Sequence, residues 1–252
     1  MKTTLLALCV VVLSASFLYA QAPTSYVGST KHNLSTTGTG VSSTSTQICV
    51  YCHTPHNSLP EATSVRIWNH TLSTATYLTR ATQVIGGGTV DDGFGVDVNQ
   101  GGTAMCLSCH DGTVAVSDLH NPPSDVASWT VGSSFSDVAG GGMGTGDLLK
   151  VGTAGDAYSL GTDFNIQHPF SIPVTGTYVS PRTATGKMGN GSDSLQLYRH
   201  VGDATNWWLE CRTCHDVHGK TANPTKAVGG GKSLLNKPIA GSELCITCHY
   251  TK

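Results

Sequence analysis

The sequence predicts a mostly irregular chain with short helices and a few short strands, whose interior is not filled by its own side chains. Three observations carry this expectation. Apolar residues with a side chain are 38% and aromatic residues 7% of the 252 residues, while glycine occurs 30 times, well above its ordinary share of about 7%. No stretch sustains an apolar period of 3.6 residues, so long helices are not expected. Eight of the nine cysteines fall into four copies of one short pattern. Charged residues make up only 12% and the net charge is -2, so self-repulsion does not keep the chain unfolded. The missing apolar bulk has to come from outside the polypeptide.

The elements follow in order. Lys2 precedes an uncharged apolar run from Leu5 to Leu18, with Ala20 or Ala22 as the cleavage position. Residues 1–20 therefore read as a cleaved signal peptide, leaving 21–252 as a single domain. The run is short for a membrane span and has the flanks of an export signal. Cys9 leaves with it, and no later stretch is long and apolar enough to cross a bilayer. The expected location is outside the cell or on its surface, with the periplasm as the alternative. Ser35–Thr46, Gly86–Gly102, residues 133–146 and Gly229–Gly231 read as loops, and Phe170–Val179 as a short strand. Short helical turns are expected at the four cysteine patterns.

Those patterns are Cys49-Val-Tyr-Cys52-His53, Cys106-Leu-Ser-Cys109-His110, Cys211-Arg-Thr-Cys214-His215 and Cys245-Ile-Thr-Cys248-His249. One such match arises by chance roughly 0.01 times in a chain of this composition, and the pattern is the attachment signature of c-type haem. The spacing has a physical reason. Two thiols one helical turn apart can add to the two vinyl groups on one haem edge, and the next imidazole then reaches the iron from the same side. Disulfides suit an exported chain and zinc suits paired cysteines, but neither explains a histidine after every pair. Four covalent haem c groups are therefore expected, bound by these eight cysteines, with His53, His110, His215 and His249 as proximal iron ligands. Four large apolar plates would supply the missing interior.

Seven histidines remain: His32, His56, His70, His120, His168, His200 and His218. Past the signal the methionines are only Met105, Met143 and Met188, so histidine on both faces of each iron is the economical expectation. His56 and His218 each stand three residues after a proximal histidine. Neither can swing to the far face of its own haem, but each can reach the iron of a neighbouring one. Hydrogen bonding to haem propionates is the alternative role.

Lys31-His-Asn-Leu-Ser35, the Cys49 pattern continued to Thr54-Pro-His-Asn57, the Cys106 pattern continued to Asp111-Gly-Thr113, His168-Pro-Phe-Ser-Ile172, Cys211 to His218 and Leu244 to His249 follow one another along the chain. In this order the sequence resembles multihaem cytochromes with a doubled Cys-x-x-Cys-His pattern. It is most similar to the tetrahaem extracellular cytochromes that polymerise into conductive filaments (the OmcE type). The resemblance implies a haem-dominated fold, with His32, His56, His168 and His218 as distal ligands. His70 is the reserve, while His120 and His200 match no motif and are expected to be solvated loop histidines.

The resemblance further implies extracellular electron transfer by the repeating subunit of a head-to-tail homopolymer, not enzymatic catalysis. The partners would be redox-protein donors and extracellular acceptors, with no nucleic acid. A monomeric periplasmic shuttle is the alternative. A small-oxyanion reductase with one five-coordinate haem is disfavoured by the seven spare histidines and by the lack of any Cys-x-x-Cys-Lys variant. In the filament family one haem is completed by a histidine of the adjacent subunit. Here His32, on an arm that looks movable, is the leading candidate, against the alternative that it folds back onto its own chain. Asn33, Asn69 and Asn190 begin glycosylation sequons, which often arise by chance.

Intact-mass measurement of the mature protein should find four covalently added haems and no free thiol. Bound zinc, or fewer haems after complete maturation, would overturn the expectation.

Overall fold

The computed structural model describes residues 25–28, 30–38, 41–59, 67–78, 84–85, 88–89, 101–131, 159–164, 167–174, 186–189, 194–200, 203, 205–218 and 234–249. The expected signal peptide, the loops at 133–146 and Gly229–Gly231, and Asn190 lie outside these residues, as do 175–179 of the expected strand.

The chain is mostly irregular, with a few short helices and strands. In order these are α1 (Ser25–Gly28), β1 (Val41–Ser43), β2 (Val84–Ile85), β3 (Gly88–Thr89), α2 (Gly102–His110), β4 (Trp129–Val131), β5 (Ile172–Pro173), β6 (Lys187–Met188), β7 (Leu195–Gln196), β8 (Trp208–Leu209), α3 (Cys211–Cys214) and α4 (Glu243–Cys248). The strands form separate antiparallel pairs: β1 with β4, β2 with β3, β5 with β8 and β6 with β7. No described helix is long and apolar enough to cross a membrane.

Two expected loops contain strand. Within Ser35–Thr46, β1 pairs with β4 in the register Val41 to Val131 and Ser43 to Trp129. Val41 and Ser43 face inward and are buried, and the Ser43 hydroxyl meets that of buried Tyr51. A serine whose hydroxyl has a buried partner costs little to bury, which composition alone does not reveal. In the Gly86–Gly102 run, Gly88–Thr89 pairs with Val84–Ile85 as a two-residue hairpin, and Gly102 opens α2. Within the described part of the strand expected over Phe170–Val179, Ile172–Pro173 pairs with Leu209 and Trp208.

Among the described residues one apolar cluster stands out. Leu107 and Phe164 are buried together against Tyr77, Leu160 and Phe170. Phe164 stacks on Tyr77 with ring centres 5.0 Å apart and meets Phe170 edge-on, the offset and T-shaped arrangements that aromatic quadrupoles favour. Among the described residues, buried polar side chains outnumber buried apolar ones. Hydrogen bonds from Asn, Ser, Thr and Asp hold much of the interior in place. Asn33 donates to Gly28 O (2.9 Å) and Thr37 Oγ1 (3.0 Å), while its Oδ1 accepts from the Ser35 amide and hydroxyl. Asn69 donates to Val50 O (2.6 Å) and Asn121 O (3.0 Å) and accepts from Asn121 N. Both asparagines are at most 1% exposed, and their amide nitrogens are committed to these bonds. The folded chain therefore offers no glycosylation site at either.

Candidate functional site

Each cysteine pattern forms a helical turn. The His53 amide donates to Cys49 O (2.9 Å), His215 to Cys211 O (3.0 Å) and His249 to Cys245 O (2.9 Å), while Cys106, Cys109 and His110 sit on α2. Residues i, i+3 and i+4 share one helix face, so each turn carries two thiols and an imidazole together. Among the described residues the eight cysteines form no disulfide.

The four turns come together in chain order. Cys52 and Cys109 lie within electrostatic reach of each other. Cys106 and Cys211 are likewise neighbours, and Cys214 lies near Cys245 and Cys248. Burial pushes the Cys52 and Cys248 thiols up to about 11 and Cys109 to about 12; Cys214 is raised by the same cause, and Cys211 by its contact with Cys106 and by burial. These sulfurs sit in apolar surroundings that disfavour thiolate, unlike the electropositive sites that activate nucleophilic or redox cysteines.

Local hydrogen bonds hold the turns. Asn69 N donates to Cys52 O, and His120 N returns to Asn69 O, so one asparagine ties the first turn to the segment after α2. Asp111, buried just past His110, accepts from the Thr113 amide and hydroxyl and from Tyr77 OH (2.7 Å). Past α3, Asn236 donates to the Arg212 and Thr213 carbonyls at 3.0 Å, caps the helix end and leads the chain toward α4. The hydroxyl of buried Thr247 donates to Glu243 O within α4.

Three of the motif histidines face a histidine from far away in the chain. His53 opposes His218 with ring centres 6.1 Å apart and planes at 26°. His110 opposes His32 at 5.9 Å and 56°. His249 opposes His168 at 6.3 Å and 72°. These separations are informative. His200 and Trp208 show direct stacking at 4.0 Å; the nearly parallel His53 and His218 rings are too far apart for that. With a metal–imidazole bond of about 2 Å and about 1.1 Å from each ring centre to its nitrogen, two imidazoles on opposite faces of one metal ion stand roughly 6 Å apart. Each ring turns freely about its bond, so the different plane angles are all compatible.

The remaining hydrogen bonds fit a metal as well. His168 Nδ1 lies 2.8 Å from Pro169 O; as the donor there it leaves the Nε2 lone pair free to ligate, the outer bond that commonly orients a ligating histidine. His32 and His53 keep buried Nδ1 atoms with no hydrogen-bond partner, a costly arrangement unless another group meets the ring. Trp68 packs edge-on against His53 at 5.9 Å. His32 is placed by its own turn: its amide donates to Thr30 Oγ1 (3.2 Å) beside the buried Asn33 network. Its ring faces that of His110.

The other histidines divide differently. His56 is exposed and faces no histidine among the described residues; its carbonyl accepts from Thr54 Oγ1 (2.7 Å). His215 is exposed and within electrostatic reach of His32. His70, the reserve ligand, is buried with both ring nitrogens against carbonyls, Nδ1 3.0 Å from Thr71 O and Nε2 2.9 Å from Ala115 O. It also lies 3.4 Å from Cys109 Sγ. It is thus engaged by backbone, not by a second imidazole. His120 is exposed, as expected. His200 is not the solvated histidine expected. It is 4% exposed, stacked on Trp208, with Nε2 against Glu210. Its burial depends on a partner ten residues away, and no short motif announces that contact.

The chain matches no protein-family model and no curated protein.

Burial above all, reinforced by His110, His215 and His218, lowers His32 from 6.5 to about 4. The ring is therefore neutral at neutral pH, the form in which an imidazole can ligate a metal.

Proposed function

We propose that the chain binds four haems covalently and moves electrons along them outside the cell, as the repeating subunit of a cytochrome filament. The observation that carries this reading is the opposition of His53 to His218, His110 to His32 and His249 to His168 at 5.9–6.3 Å. Each pair joins the histidine of a Cys-x-x-Cys turn to one distant in sequence, the arrangement a six-coordinate haem iron needs. The eight cysteines would hold the haem edges as thioethers, and their apolar surroundings favour a sulfur that carries no charge. When bound, such haems supply reversible one-electron chemistry at iron.

The residues define what the chain itself contributes. Histidine pairs would hold three of the irons from both sides, and a further histidine opposite His215 would complete the fourth, an arrangement that argues against bond-making chemistry. His218 belongs to the third turn but faces the histidine of the first, so it binds these two parts of the chain together. The contacts Cys52 to Cys109, Cys106 to Cys211 and Cys214 to Cys245 support a relay in the order first, second, third, fourth. Its ends are the turns with exposed first cysteines, Cys49 and Cys245. Exposed His56 beside the first turn is the histidine best placed to complete an iron in a neighbouring copy. A contact of that kind is head-to-tail and does not close, so it propagates.

The wild-type protein should be fully low-spin in both redox states and bind little carbon monoxide. His218→Ala should keep four haems by mass but create one high-spin haem that binds carbon monoxide; an unchanged spectrum would remove His218 from the ligand set. His56→Ala should leave soluble subunits where the wild type forms filaments in electron micrographs. Filaments that persist would return the protein to the monomeric-shuttle reading or transfer the junction to another residue.

A further inference from the structure

The second and third turns meet at a buried polar junction that the axial ligands do not use. Glu210, 1% exposed, is the residue before α3, and its own amide donates to Thr213 Oγ1 (3.1 Å) while its carbonyl accepts from Thr213 N (2.8 Å). Its carboxylate turns away to the start of another helix. Oε2 accepts from the Thr103 amide (2.8 Å) and the Thr103 hydroxyl, in the first turn of α2. Oε1 is met by His200 Nε2, whose ring lies 4.0 Å from that of Trp208 at 12°. The Cys211 amide points back at Thr103 Oγ1 (3.4 Å). One carboxylate therefore joins the N-termini of two Cys-x-x-Cys helices, each of which has backbone donors without intrahelical partners.

The approach is close enough to dictate the residues around it. A Cβ on Gly101 would stand 2.8 Å from His200 Nε2 and 2.9 Å from Glu210 Oε1, and one on Gly102 would stand 2.5 Å from Arg212 Nε. Gly101 also has φ 76, a backbone region that residues with a Cβ rarely adopt. The Arg212 guanidinium carbon, within the third pattern, lies over the Tyr198 ring, 3.6 Å from its centre. Just beyond, Cys106 and Cys211 are neighbours. A buried carboxylate is a poor way to gain stability compared with an apolar contact, but its directional bonds specify one geometry.

We infer that Glu210, held by His200, is the positioning residue that fixes the second turn against the third and so sets the coupling between the two haems attached there. This rests on the electron-transfer reading. Any loosening of the Glu210–Thr103 bonds moves the sulfurs of Cys106 and Cys211, and with them the two haem edges, relative to each other.

The test uses the mature holoprotein and its variants Glu210→Ala, Glu210→Gln and Gly101→Ala, with haem content by intact mass and Soret circular dichroism as readouts. A wild type with fewer than four haems sinks the electron-transfer reading itself, before any variant matters. With four haems in place, Glu210→Ala and Gly101→Ala should retain them but lose part of the Soret exciton couplet. Glu210→Gln, which keeps an oxygen for Thr103, should retain the wild-type couplet. If Glu210→Ala does not accumulate, Gly101→Ala decides alone. An unchanged couplet in the four-haem Ala variants overturns the inference, and so does a couplet lost equally in Glu210→Gln, because charge and not bonded geometry would then be responsible.

Discussion

The pairing of imidazoles across long stretches of chain is the constraint on which the rest of this structure depends. His32 faces His110, His53 faces His218 and His168 faces His249, so three pairs relate the N-terminal arm, the middle and the C-terminal turns to one another. The regular elements do little of that work. The strands are two or three residues long and pair two by two, and isolated short ladders of this kind are marginal in water. What positions the histidines is a polar scaffold: the Asn33 network under His32, Asn69 between the first turn and the segment after α2, Asp111 past His110, and Asn236 past α3.

This scaffold explains why so many small polar residues are buried. Ser, Thr, Asn and Asp bond nearby backbone in turns and caps, so a chain rich in them can order irregular segments without long helices or sheets. The cost is directional. Each buried asparagine or carboxylate must find all its partners, since an unmet polar group in the interior is expensive. Asn69 meets this demand with two donated bonds and one accepted, and Glu210 by spanning two helix starts. Glycine appears where the backbone must come closest, at Gly101 and Gly102 against His200, Glu210 and Arg212.

The sequence disclosed local chemistry and concealed distant partnership. Four Cys-x-x-Cys-His turns were legible because their meaning lies within five residues, and the structure forms a helical turn at each. The mostly irregular fold followed from composition and from the missing helical period. That His32 faces His110 was not legible, because the two lie seventy-eight residues apart and the turn of Thr30, Asn33 and Ser35 around His32 forms only in the folded chain. Isolation in the sequence misrepresented His200: its stack on Trp208 and its bond to Glu210 arise only once β8 and the start of α3 are folded. The surroundings of His70 were equally hidden, since the Thr71 and Ala115 carbonyls that meet its nitrogens come from its own backbone and from a segment forty-five residues away. Val41–Ser43 hid within a Ser/Thr run because β1 takes its order from β4, nearly ninety residues away.

Ordering each residue costs about 1–2 kcal/mol of backbone entropy, and among the described residues the cluster around Leu107 and Phe164 joins these two buried side chains to three partly buried ones. Hydrogen bonds give modest net stabilisation, so the polar scaffold chooses a geometry more than it supplies a driving force. Groups held between opposed histidines and anchored by cysteines would contribute that force twice, through the apolar surface they bury and through ligand bonds that exist only in the folded arrangement. On the proposed reading, folding and electron transfer therefore share one requirement. The contacts that bring distant histidines onto a common axis also bring the successive attachment turns side by side, and a sequence that loses one loses the other.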